Sequence, residues 1–200
     1  MVELDVLPRR DGRLVIAHDH LDADRRRPLA LDECLDAFTR SPLDRVELDC
    51  DLKLPAGERR LVDELRERDL LGRSSVSTME VESLERLREI EPGLRLGWTY
   101  PKVGRDWTRR RWARPAVLAT LAMMRRRLPR LAARTLPRLG VQEMWAYWPL
   151  VTRGLVQAAE SAGVEVIAWT VDDPARIRTL RGLGVHGVCS NDPRLFAELD

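Results

Sequence analysis

The chain has 200 residues, of which 44% are hydrophobic and 33% charged, with a formal net charge of +2. That length and composition fit one globular domain with a sizeable core, and the near-balance of charge excludes a polyelectrolyte that binds through bulk charge. No apolar run reaches the roughly 18 residues of a membrane-spanning helix, and no nucleic-acid-binding module is recognisable.

The hydrophobic pattern alternates between short strand-like runs and longer amphipathic ones. Val2 to Leu7 reads as a strand, followed by a turn at Asp11-Gly12 and a second short strand from Arg13 to Ala17. His20 reads as a loop residue. Leu31 to Phe38 has helical spacing, and Arg45 to Leu52 is the next strand. Glu58 to Arg68 places Leu61, Val62 and Leu65 at helical spacing. A short strand, Ser74 to Ser77, precedes a helix from Glu80 to Ile90 that Pro92-Gly93 stops. Leu94 to Trp98 is a strand. Pro115 to Leu128 is helical, and Pro129 and Pro137 are expected to break the segment beyond Leu128. The remaining strands are Val141 to Ala146, Val164 to Thr170 and Val185 to Ser190. Between them lie helices from Thr152 to Ala162 and from Pro174 to about Arg181, and Pro193 opens a last one. Strands alternating with helices imply βαβ units and a parallel sheet, with seven major strands in a single domain over residues 1–200.

Chemistry-bearing residues gather at the ends of these strands. Glu3 and Asp5 are two apart and share one side of a strand. Two carboxylates there either repel each other, unless a cation lies between them, or face solvent on an edge strand. His18-Asp19 directly follows a strand, where an imidazole can serve as general acid or base or simply be structural. In Asp49-Cys50-Asp51-Leu52-Lys53, Asp51 and Lys53 share one side, either as a carboxylate ligand beside a phosphate-neutralising lysine or as a surface salt bridge. Aromatic residues stand at later strand ends: Trp98 and Tyr100, then Trp145, Tyr147 and Trp148, then Trp169. Such residues usually pack. Cys34, Cys50 and Cys189 are odd in number and widely spaced. They read as core or near-core residues of a chain in a reducing, cytoplasmic setting.

In this order and spacing the motifs resemble the glycerophosphodiester phosphodiesterase family. The similarity runs from Val2-Glu3-Leu4-Asp5-Val6 through Asp11-Gly12 to His18-Asp19, and on through Asp51-Leu52-Lys53, Trp169-Thr170-Val171-Asp172 and Asn191-Asp192-Pro193. The resemblance implies a TIM (β/α)8 barrel of the phospholipase-C-like phosphodiesterase type. It also implies hydrolysis of glycerophosphodiesters to sn-glycerol 3-phosphate and an alcohol with a divalent cation, Mg²⁺ or Ca²⁺. On that resemblance Glu3, Asp5 and Asp51 are the metal ligands, although the family often has Glu where Asp51 stands. Lys53 holds phosphate oxygens, His18 is one of two catalytic histidines, and Trp169 lines the glycerol side of the pocket.

The family's opening His-Arg-Gly strand and the Pro-Glu-Asn-Thr helix after it have no counterpart, since the histidines are His18, His20 and His186 alone. About 250 residues is typical of a whole barrel, so the expected fold is incomplete, with its first strand and helix absent. Either the protein starts upstream of Met1, or it is a remnant that binds a cation and a phosphorylated ligand without turnover. An open seam in such a barrel would favour oligomers. From Trp107 to Gln142 there is no acidic residue, and Arg109–Arg111 and Arg125–Arg127 flank an apolar run. This stretch is either a solvated outer helix or a basic element resting on an anionic membrane surface.

Overall fold

The computed structural model describes residues 1–102 and 114–197. Contacts divide the chain into two compact units, Met1–Trp98 and Thr99–Asp200.

In the first unit, β1 (Val2–Pro8), β3 (Leu48–Leu52), β4 (Ser74–Thr78) and the part of β5 (Arg95–Tyr100) up to Trp98 pair in parallel in that order, and β2 (Leu14–Ile16) pairs antiparallel to β1. The helices are α1 (His20–Arg25), α2 (Leu31–Phe38), α3 (Glu58–Glu67) and α4 (Val81–Ile90). Strand alternation sorts the side chains into two sets. Leu4, Cys50, Val76 and Leu96 share one register and one face. Cys50, Val76 and Leu96, with the buried Leu48 and Leu52, and Leu61, Leu65, Leu84 and Leu87 from α3 and α4, form the apolar core. The opposite face carries Glu3, Asp49 and Ser75 on one level and Asp5, Asp51 and Ser77 on the next. Polar residues therefore line this face of β1, β3 and β4 at those two levels. Gly57 opens α3 where a Cβ would come within 2.8 Å of Pro8 and 3.0 Å of Leu14, so α3 approaches the strand ends closely only because the residue is glycine.

Two expectations for this unit change. His20 is not a loop residue but the first residue of α1, because the Asp19 side chain caps that helix by accepting from Asp22 N at 2.8 Å. The strand before His18 is not parallel either. The Asp11-Gly12 turn, with Gly12 at φ 81°, sends it back along β1.

In the second unit, β6 (Glu143–Tyr147), β7 (Glu165–Trp169) and β8 (Gly187–Val188) are parallel. Helix α6 (Arg153–Glu160) is capped by Thr152, and α7 (Pro174–Leu183) is capped by Asp173 and ends on Gly184 at φ 93°. Helix α5 (Arg114–Leu139) runs straight through Pro129 and Pro137, where a break was expected. A proline inside a helix costs about 3 kcal/mol. Against that, Leu128, Ala132 and Leu136 are fully buried at a spacing of four, on the side where α5 packs against α6. Burying a leucine contributes about 1.5–3 kcal/mol, so Leu128 and Leu136 together offset much of what the two prolines cost. The cluster Arg109–Arg111 lies outside the described residues. Among the described residues no helix is long and apolar enough to cross a membrane.

Candidate active site

The carboxylates on the polar face of the first unit converge. One ligand oxygen each from Glu3, Asp5 and Asp51 lies within 4.8 Å of the others. Register explains this: Asp5 stands directly beside Asp51 across the β1–β3 pair, and Glu3 precedes Asp5 on the same side. The Lys53 ammonium reaches Asp51 Oδ2 at 2.5 Å and also contacts Asp5 Oδ1. Its side chain is only 14% exposed, so the Asp51–Lys53 pairing is a mostly buried bridge and not a surface one.

Crowding of like charge away from water alters these groups. Burial first, then the Asp5 carboxylate, pushes the Glu3 carboxyl up to about 8. Burial also raises Asp51, with Lys53 opposing and Asp5 adding to the rise. For Lys53, burial acts to lower the ammonium's affinity for its proton. The neighbouring Asp51 and Asp5 carboxylates outweigh it, and the ammonium is held well above its ordinary value. The first unit thus holds a compact anionic cluster with one ammonium on it, short of neutral when all three carboxyls are ionised.

His18 comes back to this cluster by the hairpin. Ala17 N donates to Asp5 O at 3.0 Å, which sets the next residue beside the top of β1. The His18 ring is 72% exposed and lies 3.5 Å from Asp19 Oδ2. Its charge is among those that act on the Asp51 carboxyl. The loop is pinned from behind: His18 N donates to Asp22 Oδ2, and Arg26 donates to both Asp22 oxygens, at 2.9 and 2.7 Å, and to Ile16 O. Those Arg26 bonds, helped by the His18 amide, hold the Asp22 carboxyl down to about 2.

One level below, Asp49 is completely buried and accepts from Ser75 Oγ at 2.9 Å and Ser77 Oγ at 2.6 Å. Sequence pattern alone assigned these three residues no role. The signal was available in Ser75-Val76-Ser77, whose alternation puts two hydroxyls on the same face as Asp49 and Asp51. Asp49 and the serines tie β3 to β4 beneath the carboxylate cluster.

Trp169, expected on the substrate side, belongs to the second unit at the end of β7. Its ring packs on Tyr147 with centroids 5.5 Å apart at 47°. Its Nε1 is buried and has no hydrogen-bond partner among the described residues. Nearby, Asp172 accepts from Ser190 Oγ, Asn191 N and Asn191 Nδ2 at 2.8–2.9 Å, which fastens the loop after β8 to the end of β7.

The model of the Glycerophosphoryl diester phosphodiesterase family matches residues 44–195, more than half of the chain. The chain belongs to this family. A glycerophosphodiester phosphodiesterase of Arabidopsis thaliana, GDPD4, is 37% identical over 60 residues, a match that spans 30% of this chain and only 18% of that relative. Among solved structures, the chain is similar to a glycerophosphodiester phosphodiesterase from Parabacteroides distasonis, with a TM-score of 0.74 and 15% identity over 99% of this chain and 84% of that one. It is similar also to an Oleispira antarctica phosphodiesterase, solved with its product sn-glycerol-3-phosphate, with a TM-score of 0.70 and 17% identity over 100% and 84% of the two chains. These likenesses establish the fold, which is an incomplete α/β barrel of the TIM type. The family match crosses the boundary between the two compact units.

Proposed function

We propose that this phosphodiesterase-family chain hydrolyses glycerophosphodiesters to sn-glycerol 3-phosphate and an alcohol, working as one domain with a divalent cation, Mg²⁺ or Ca²⁺. The observation that carries the reading is the convergence of Glu3, Asp5 and Asp51 within 4.8 Å. Carboxylate oxygens at that spacing suit a hard cation, which prefers oxygen ligands. Glu3, Asp5 and Asp51 would hold the ion. When bound, such a cation draws charge from the phosphoryl oxygens as the diester bond breaks.

The chain's own residues supply the remainder. Lys53 keeps Asp5 and Asp51 together and offers an ammonium to non-bridging phosphate oxygens, where charge grows in the transition state. His18, exposed and next to the carboxylates, protonates the leaving alkoxide or takes the proton from the attacking water. Trp169, at the end of β7, is the residue the family resemblance assigns to the glycerol side.

The test is release of sn-glycerol 3-phosphate from glycerophosphocholine and glycerophosphoethanolamine by the 200-residue chain. The assay runs after EDTA treatment and again after Mg²⁺ or Ca²⁺ is restored. Product that vanishes with EDTA and returns with the ion supports the reading. Binding of sn-glycerol 3-phosphate and cation with no turnover would replace it with a non-catalytic binding protein. Neither binding nor turnover would remove both readings.

A further inference from the structure

The carboxylate site leaves the long basic helix α5 unused. Residues 115–124 of that helix read Pro-Ala-Val-Leu-Ala-Thr-Leu-Ala-Met-Met, ten residues without a charge. None of the ten is buried: Leu118 is 66% exposed and Met123 is 45% exposed. The stripe Leu128, Ala132, Leu136 that packs the second half of the helix extends back through Val117, Leu121 and Met124, none of them buried. A helix gains most of its stability from packing an apolar face, and contiguous apolar surface of this kind marks an interaction site.

Charge decides what covers it. Arg109–Arg111 and Arg125–Arg127 bracket the run in sequence, with Trp112 beside the first triplet. Helix α5 contains no acidic residue and continues with Arg130, Arg134 and Arg138. At the foot of the run Arg125 donates to Pro149 O and borders a groove of about 350 Å³ with Trp148 and Arg176, whose guanidinium lies 3.6 Å from the indole centroid. A second copy of the same face would bring arginine against arginine. Ten uncharged residues are too few to span a bilayer and suit its interface, where flanking arginines meet anionic head groups. We infer that residues 115–127 dock this chain on the surface of an anionic phospholipid bilayer. The docking stands apart from the hydrolytic reading and needs no turnover.

Co-sedimentation of the full chain with phosphatidylcholine vesicles, with and without phosphatidylglycerol, tests this. Binding is expected only with phosphatidylglycerol and is expected to weaken in high salt. Each arginine contributes about a five-fold preference for the anionic surface. The variant R125Q/R126Q/R127Q should therefore bind on the order of 100-fold more weakly, and Leu118→Glu should also lose binding. Leu118 is exposed, so L118E should keep the parent's melting curve and circular dichroism. Three results would overturn the inference: no binding to anionic vesicles, equal binding to neutral ones, or a dimer in light scattering that L118E converts to monomer. Capture of RNA by the parent without vesicle binding would overturn it as well.

Discussion

Titrating cation binding between pH 6 and 9 should reveal Glu3 as the group that must lose a proton. Burial, reinforced by Asp5, holds its carboxyl up to about 8. Below that pH the site is largely protonated at Glu3, and an incoming divalent ion has to displace the proton. With that value about one site in eleven is deprotonated at pH 7 and about ten in eleven at pH 9. The apparent affinity for Mg²⁺ or Ca²⁺ should therefore rise about ten-fold across that interval, equivalent to about 1.4 kcal/mol. Isothermal titration calorimetry in buffers of different ionisation heat reads both the affinity and the proton, with close to one proton released per ion at pH 7. Glu3→Gln should bind more weakly and lose the pH dependence. An affinity that stays flat over this range, with no proton released, would refute the reasoning. Stability should move the opposite way with pH. Glu3 binds its proton more tightly folded than unfolded, where its ordinary value is 4.5. Between about pH 4.5 and 8 the folded state holds more protons, so the ion-free protein loses stability as pH rises through that window. Saturating cation should reduce that loss.

Other outcomes are equally specific. His18→Ala should lower turnover by about 10²–10⁴, the range for loss of a general acid–base group. Its melting temperature should hold, because the ring is 72% exposed; undiminished activity would exclude His18 from the chemistry. Lys53→Met strips the ammonium from Asp5 and Asp51, and breaking a buried pair costs about 3–5 kcal/mol. Urea unfolding should show that loss and its partial recovery with Mg²⁺, and a loss insensitive to the ion would argue against cation occupancy there. Ser77→Ala leaves one oxygen of the buried Asp49 without its hydroxyl donor, at a cost of about 1–3 kcal/mol. A change much smaller than this in the same assay would show that Asp49 does not depend on the serine.

Much was legible along the chain because it depends on local periodicity. Alternation in Glu3-Leu4-Asp5 and Asp51-Leu52-Lys53 assigns those side chains to one face of a strand whatever the strand pairs with, and spacing in Leu61-Val62-Leu65 makes a helix. The turn chemistry of Asp11-Gly12 is equally local. The rest needed the fold, because it depends on residues distant in sequence. That Asp5 stands beside Asp51, with Lys53 on both, comes from the β1–β3 register, which no local pattern specifies. The upward shift of Glu3 comes from burial and from neighbours brought in by that pairing. The loop that carries His18 returns to β1 because its strand runs antiparallel, and His20 is helical because Asp19 caps it. Pro129 and Pro137, breakers by local rule, sit inside α5, where burial of Leu128, Ala132 and Leu136 offsets much of their cost. Residue order alone settles which side chains share a face, since that needs only the period of a strand or a helix. Which faces meet is settled in three dimensions, since pairing and burial are set by contacts between segments far apart along the chain.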